Sequence, residues 1–180
     1  MHPRPRRRTV TTMAVLALAL VGCAQAEPTA PEQSAPPATT QAEAITVEDA
    51  WIKAVSEEEG MTGVFGSIVN SAGQEAELVA AASAVAARVE LHEVVTGDDG
   101  NALMQEKEGG FTVPAEGRHP LEPGADHIML MDLGGDLAPG DEVEVTLEFS
   151  DGSTTGFTAP VKDYEGANEN YGGHDHGAEE

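Results

Sequence analysis

Glu142-Val143-Glu144-Val145-Thr146-Leu147-Glu148-Phe149 alternates polar and apolar side chains through eight residues. Ser150-Asp151-Gly152-Ser153 follows, and a second extended run covers residues 154–161. Period-two alternation puts Val143, Val145, Leu147 and Phe149 on one face of a strand and the carboxylates on the other. Asp-Gly between two such runs is turn chemistry for an antiparallel hairpin. A lone hairpin cannot bury its own apolar face, so further strands must cover it.

The sequence upstream supplies them. Short extended runs are expected at residues 45–55, 64–70, 77–82, 89–95, 102–105 and 127–133, with lesser pieces at 111–114 and 118–121. The Ala content of residues 77–82 would also suit a helix. Turn signals separate the runs: residues 60–63, Ser71-Ala72-Gly73, residues 96–101, Pro123-Gly124 and Leu137-Ala138-Pro139-Gly140-Asp141. Twenty Gly and 11 Pro serve many such turns. No long amphipathic helix stands out. The expectation is an all-β sandwich of seven to nine short antiparallel strands.

Residues 1–22 have a different character. Arg4, Arg6, Arg7 and Arg8 precede a short apolar run at residues 10–21, the layout of a secretory signal peptide and too short for a comfortable membrane span. Leu20-Val21-Gly22-Cys23 resembles a bacterial lipobox, which makes Cys23 the expected lipidation site and anchors the chain by lipid at the outer face of the cell membrane. Residues 23–43, rich in Ala, Pro, Thr, Glu and Gln, read as a disordered tether. The β-rich domain spans 44–163, and residues 164–180 form an acidic tail bearing His174 and His176.

Charge excludes one class of partner. The formal net charge is −23. All 32 acidic residues lie beyond the signal and four arginines lie within it, so the processed chain carries −27. Nucleic acid, which demands clustered Lys and Arg, is not a fitting partner. Nor is there a nucleophile–base pair in a recognisable local setting or a phosphate loop, so the chain does not read as an enzyme.

The chemistry lies in His127-Ile128-Met129-Leu130-Met131. On a strand, His127, Met129 and Met131 share one face. Imidazole and thioether together favour a soft, low-valent metal such as Cu(I). His92 and Met104, on the two arms of a hairpin that turns at residues 98–101, can be cross-strand neighbours and would complete a set of two imidazoles and two thioethers. Cys23, the only Cys, is committed to lipidation, so a blue-copper thiolate site is a poor reading. Met131 reads as packing, Met61 as a loop residue and His119 as solvent-exposed. His174 and His176, with their flanking carboxylates, would suit Cu(II) in the tail.

His92-Glu93, Met104 and Gly124-Ala125-Asp126-His127-Ile128-Met129-Leu130-Met131-Asp132-Leu133 resemble the periplasmic copper chaperone family called PCuAC. Its pattern is a His, a Met twelve positions on, then His-x-Met after a little over twenty residues. Flanking segments agree, and the resemblance covers residues 45–161. It departs at Val94, where many members carry a Met, and by one extra residue in the loop at 105–126. The resemblance implies a cupredoxin-like, immunoglobulin-like Greek-key β-sandwich holding one Cu(I) through His92, Met104, His127 and Met129. It also implies delivery of copper to the copper-centre subunit of cytochrome c oxidase or to another copper assembly factor. Copper sequestration, or a structural β-sandwich lipoprotein without metal, are the competing readings.

Overall fold

The computed structural model describes residues 39–97, 100–166 and 170–171. The expected signal peptide, Cys23, most of the tether, His174 and His176 lie outside the described residues.

Eleven strands form among the described residues: β1 (Ile45–Lys53), β2 (Met61–Asn70), β3 (Ala76–Ala82), β4 (Ala86–Thr96), β5 (Ala102–Glu106), β6 (Phe111–Val113), β7 (Arg118–Leu121), β8 (His127–Leu133), β9 (Glu142–Phe149), β10 (Thr154–Lys162) and β11 (Asn170–Tyr171). The expected all-β sandwich is the observed architecture. The strand count exceeds seven to nine because β6, β7 and β11 have only three, four and two residues. Pieces that short carry little periodicity of their own. Residues 77–82 resolve as strand rather than helix, because the edge pairing with β9 and β6 outweighs the helical propensity of Ala.

The ladder runs β11-β5-β4-β8-β2-β1-β10-β9-β3-β6, with β7 paired to β2. Neighbours are antiparallel except β1 with β10 and β5 with β11. The parallel step at Ile52–Val161 carries the ladder from one layer to the other. One core joins the layers: Ile52, Val64, Ile68, Leu91, Ile128 and Leu130 meet Leu78, Phe111, Val145, Leu147 and Phe149. The alternating residues of β9 face inward as expected, each of the four apolar ones nearly inaccessible.

β2 starts at Met61 rather than after the glycines, so Met61 is a strand residue opposite Met131, not a loop residue. Gly66 meets a bulge in β1 around Asp49, itself at φ 53. Gly66 has φ 147, and a Cβ there would lie 3.0 Å from Ala50 Cα and from the Glu48 carbonyl oxygen. Only glycine permits that approach.

Described residues before 44 also lie against the domain. Ala42–Ala44 form a 3-10 turn with Ala42 buried, and the Gln41 amide donates to Asp151 Oδ2 at 2.8 Å. At the other end, the Tyr164 ring lies tilted against Trp51 (5.1 Å), Lys53 Nζ donates to the Gly166 carbonyl at 2.7 Å, and β11 pairs with Leu103 and Met104. The described residues beyond 163 thus lie against the domain.

Candidate metal centre

β8 is buried on both faces. Ile128 and Leu130 enter the main core, whereas Met129 and Met131 join Met104 in a second, separate apolar cluster. That is the sequence alternation of β8 expressed in space: one face is aliphatic, the other carries imidazole and thioether.

His127 pairs directly with His92 across β8 and β4, and their rings meet edge to face at 5.6 Å. Both are buried: His92 is 0% exposed and His127 3%. His92 and Met104 are not directly opposite, as the hairpin spacing suggested. His92 faces Glu106, and Met104 faces Val94. A two-residue offset keeps side chains on the same face, so Met104 is a diagonal neighbour of His92, a separation of roughly 7–8 Å that a long side chain spans. A small cavity of about 30 Å³ is lined by Met104, His127 and Met129, together with Lys53, Gly63, Phe65, Pro123 and Gly124. The structure therefore gathers His92, Met104, His127 and Met129 into one buried neighbourhood.

Gly63 lies opposite Met129. A Cβ on it would come 2.5 Å from Phe65 Cζ, so the missing side chain lets the Phe65 ring lie across the strand. That ring packs at a tilt against Trp51 at 4.6 Å and stands 5.9 Å from the His127 ring, forming an aromatic wall beside the site.

Hydrogen bonds hold the imidazoles. His127 Nδ1 donates to the Ala125 carbonyl at 2.8 Å. His92 Nε2 meets Glu90 Oε2 at 2.8 Å, while Glu90 Oε1 accepts from Arg88 Nη1 at 2.8 Å and Arg88 Nε lies 3.5 Å from Asp132 Oδ2. Burial pushes the Glu90 carboxyl up, but the His92 hydrogen bond and the Arg88 charge outweigh it and hold its pKa below the ordinary value. A second network flanks both histidines. Lys107 Nζ bonds Glu93 Oε2 at 2.8 Å and lies 3.5 Å from Asp126 Oδ2, which is 3.1 Å from His119 Nε2. The Glu93 hydrogen bond is the main reason the Lys107 pKa is raised.

Two expectations need correction. His119 is not solvent-exposed: its side chain is 17% accessible, stacked on Phe111 at 4.7 Å and paired with Asp126. Pro120 and the pairing with β2 turn it inward. Met131 lies not in the main core but buried in one cluster with Met129 and Met104. Sequence reading missed Glu90 and Lys107, residues whose roles emerge only from strand register. The alternate spacing Arg88-x-Glu90-x-His92 was the available signal.

Among the described residues no group of three or more His, Cys, Asp or Glu is arranged to hold a metal. A hard-metal cage is thus absent from them, and any ligand set here depends on thioether sulfur. No helix among them is long and apolar enough to cross a membrane.

Comparison with known proteins gives a consistent picture. Residues 45–161 match the family "Putative lipoprotein LpqE-like". "Putative lipoprotein Lxx21020" of Leifsonia xyli subsp. xyli (strain CTCB07) is 45% identical over 163 residues, 91% of this chain and 94% of that protein. Among solved structures, apo-DR1885 from Deinococcus radiodurans is 33% identical with a TM-score of 0.53, covering 80% of this chain and 97% of its own. The Cu(I) form of DR1885 is 30% identical, with a TM-score of 0.53, over 76% and 92%. The "Copper-bound PCuAC domain from PmoF2" is 25% identical with a TM-score of 0.56, over 67% and 94%.

Proposed function

The chain belongs to the LpqE-like lipoprotein family and has PCuAC domains as structural relatives, and on that basis we propose that it is a lipid-anchored, extracytoplasmic Cu(I) carrier. One copper ion is its cargo, held by His92, Met104, His127 and Met129. The observation that carries this reading is a small cavity lined by Met104, His127 and Met129, with the buried His92 paired to His127 across β4 and β8.

The chemistry suits the task. Neutral imidazole and thioether need lose no high-pKa proton to bind, and thioether forms no disulfide in an oxidising compartment. Cu(I) tolerates low coordination numbers, so passing it to an acceptor requires little rearrangement. Lipidation at Cys23 would keep the domain at the membrane surface, beside an acceptor such as the copper-centre subunit of cytochrome c oxidase or another copper assembly factor. Cu(II) capture by His174 and His176 belongs to the same proposal.

Cu(I) titration against a competing chelator tests the carrier reading. One equivalent bound, with X-ray absorption showing both sulfur and nitrogen scatterers, and a loss of at least about tenfold in affinity for Met104→Ala and Met129→Ala, is expected. Undiminished binding in both variants would sink the ligand assignment. For delivery, deletion of the gene should lower cytochrome oxidase activity and added copper should restore it. Copper sensitivity with normal oxidase would point to sequestration instead.

A further inference from the structure

We propose that Glu90 is a positioning residue that sets which nitrogen of His92 faces the copper, so that the two histidines act through different ring atoms. The proposal deepens the Cu(I) reading above and rests on it for its affinity arm alone.

The argument begins with β4. Residues 88, 90 and 92 share one face, while Leu91 on the other face enters the core. In register, Glu90 stands across from Met129 and Arg88 across from Met131, so this triplet runs alongside the methionine face of β8. Glu90 Oε2 lies 2.8 Å from His92 Nε2. An ionised carboxylate can only accept, so Nε2 carries the proton and the lone pair of a neutral His92 resides on Nδ1. Arg88 holds the other carboxylate oxygen at 2.8 Å and thereby fixes its orientation. His92 is fully buried, so water does not compete to turn its ring.

His127 is held the opposite way. Its Nδ1 must donate to the Ala125 carbonyl, an acceptor only, which leaves the lone pair on Nε2. His92 Nδ1 and His127 Nε2 are both buried atoms. The site is therefore built from one Nδ1 ligand and one Nε2 ligand. A carboxylate behind a ligating histidine also raises its basicity, and the four ligands bring no negative charge of their own. Glu90, partly offset by Arg88, puts a negative group one imidazole away from a monovalent cation.

Long-range proton–nitrogen NMR of the copper-free protein reads the tautomers directly. His92 protonated on Nε2 and His127 protonated on Nδ1 is the expected pattern. In Glu90→Ala, His92 should lose its single tautomer, and Cu(I) affinity should fall about 10- to 100-fold. Glu90→Gln, whose amide oxygen still accepts from Nε2, should keep the tautomer and recover most of the affinity. Glu106→Ala, on the exposed residue paired with His92 across the hairpin, should change neither. A native His92 protonated on Nδ1 would overturn the proposal. So would a Glu90→Ala protein with unchanged tautomer and unchanged affinity. The ring spectra stand apart from copper binding. A protein showing the expected tautomers yet binding no Cu(I) would refute the carrier reading and support the role of Glu90 on His92.

Discussion

Met129 and Met131 sit two positions apart on one face of β8, both nearly inaccessible, yet the structure gives them different surroundings. Met129 lines the small cavity with His127, and Met131 does not. Met129→Leu should weaken Cu(I) binding at least about tenfold, roughly 1.4 kcal/mol, while Met131→Leu should stay within about twofold in a chelator competition. Both are volume-conserving, so denaturant unfolding should place each within about 1.5 kcal/mol of the parent. Equal losses of copper affinity would return Met131 to the ligand set. Gly66 makes a second residue-scale case. Gly66→Ala forces a side chain onto backbone at φ 147 and 3.0 Å, and should cost about 1–3 kcal/mol in urea unfolding.

At the scale of elements, the short edge strand β6 is held by a side chain as well as by its ladder with β3. Asn70, 1% exposed at the end of β2, donates through Nδ2 to the carbonyls of Gln74 (2.8 Å) and Val113 (3.2 Å) and accepts from the Ala72 amide (2.9 Å). It ties β6 and the turn before β3 to the central strand. Asn70→Ala leaves those groups without their partner and should cost about 1–3 kcal/mol. The amides of Phe111–Val113 should then exchange with solvent faster than in the parent, while those of β8 are unaffected. Uniform acceleration across both strands would mean that Asn70 supports the whole domain rather than this edge.

The whole molecule is an acidic body whose few cations are concentrated near the candidate site. Beyond the four N-terminal arginines, the cations are Lys53, Arg88, Lys107, Arg118 and Lys162. The first three stand at the cavity, behind His92 and between the flanks of the two histidines. Stability should follow pH accordingly. Asp151 is held below the ordinary carboxylate pKa by the Gln41 amide first, then by the Ser153 hydroxyl and amide. Glu93 is lowered mainly by its hydrogen bond from Lys107. A lowered carboxylate stabilises the fold above its unfolded pKa of about 4 and loses that contribution as pH falls through the folded value. Lys107 works with the opposite sign: its raised pKa contributes below about 10.4 and is lost as pH climbs through the folded value. Relief of charge repulsion near the pI of about 4.3 opposes the acid loss, so the difference between variants is the informative quantity. Thermal melts from pH 3 to 7 should show Asp151→Asn converging with the parent at the acid end and falling behind it near neutrality. Parallel curves would remove Asp151 from the acid transition.

Composition and alternation alone determined the fold class. The run from Glu142 to Phe149 and its Asp-Gly turn need only period-two sterics and a hydrophobic face, both local properties. The candidate ligand types were equally legible, because His127-x-Met129 declares its common face on any strand. Register was decided by tertiary structure. Whether His92 meets Met104 directly or diagonally depends on a two-residue shift that no local pattern distinguishes, and β5 is too short to specify it. His119 looked exposed because its neighbours are Arg118 and Pro120; only the docking of β7 on β2 brings it against Phe111 and Asp126. Glu90 is one of 32 acidic residues, and only the spacing Arg88-x-Glu90-x-His92 sets it apart in the sequence. Its pairing with His92 and Arg88 exists because residues 88, 90 and 92 share one strand face, which sets a largely buried carboxylate between two neighbours within reach.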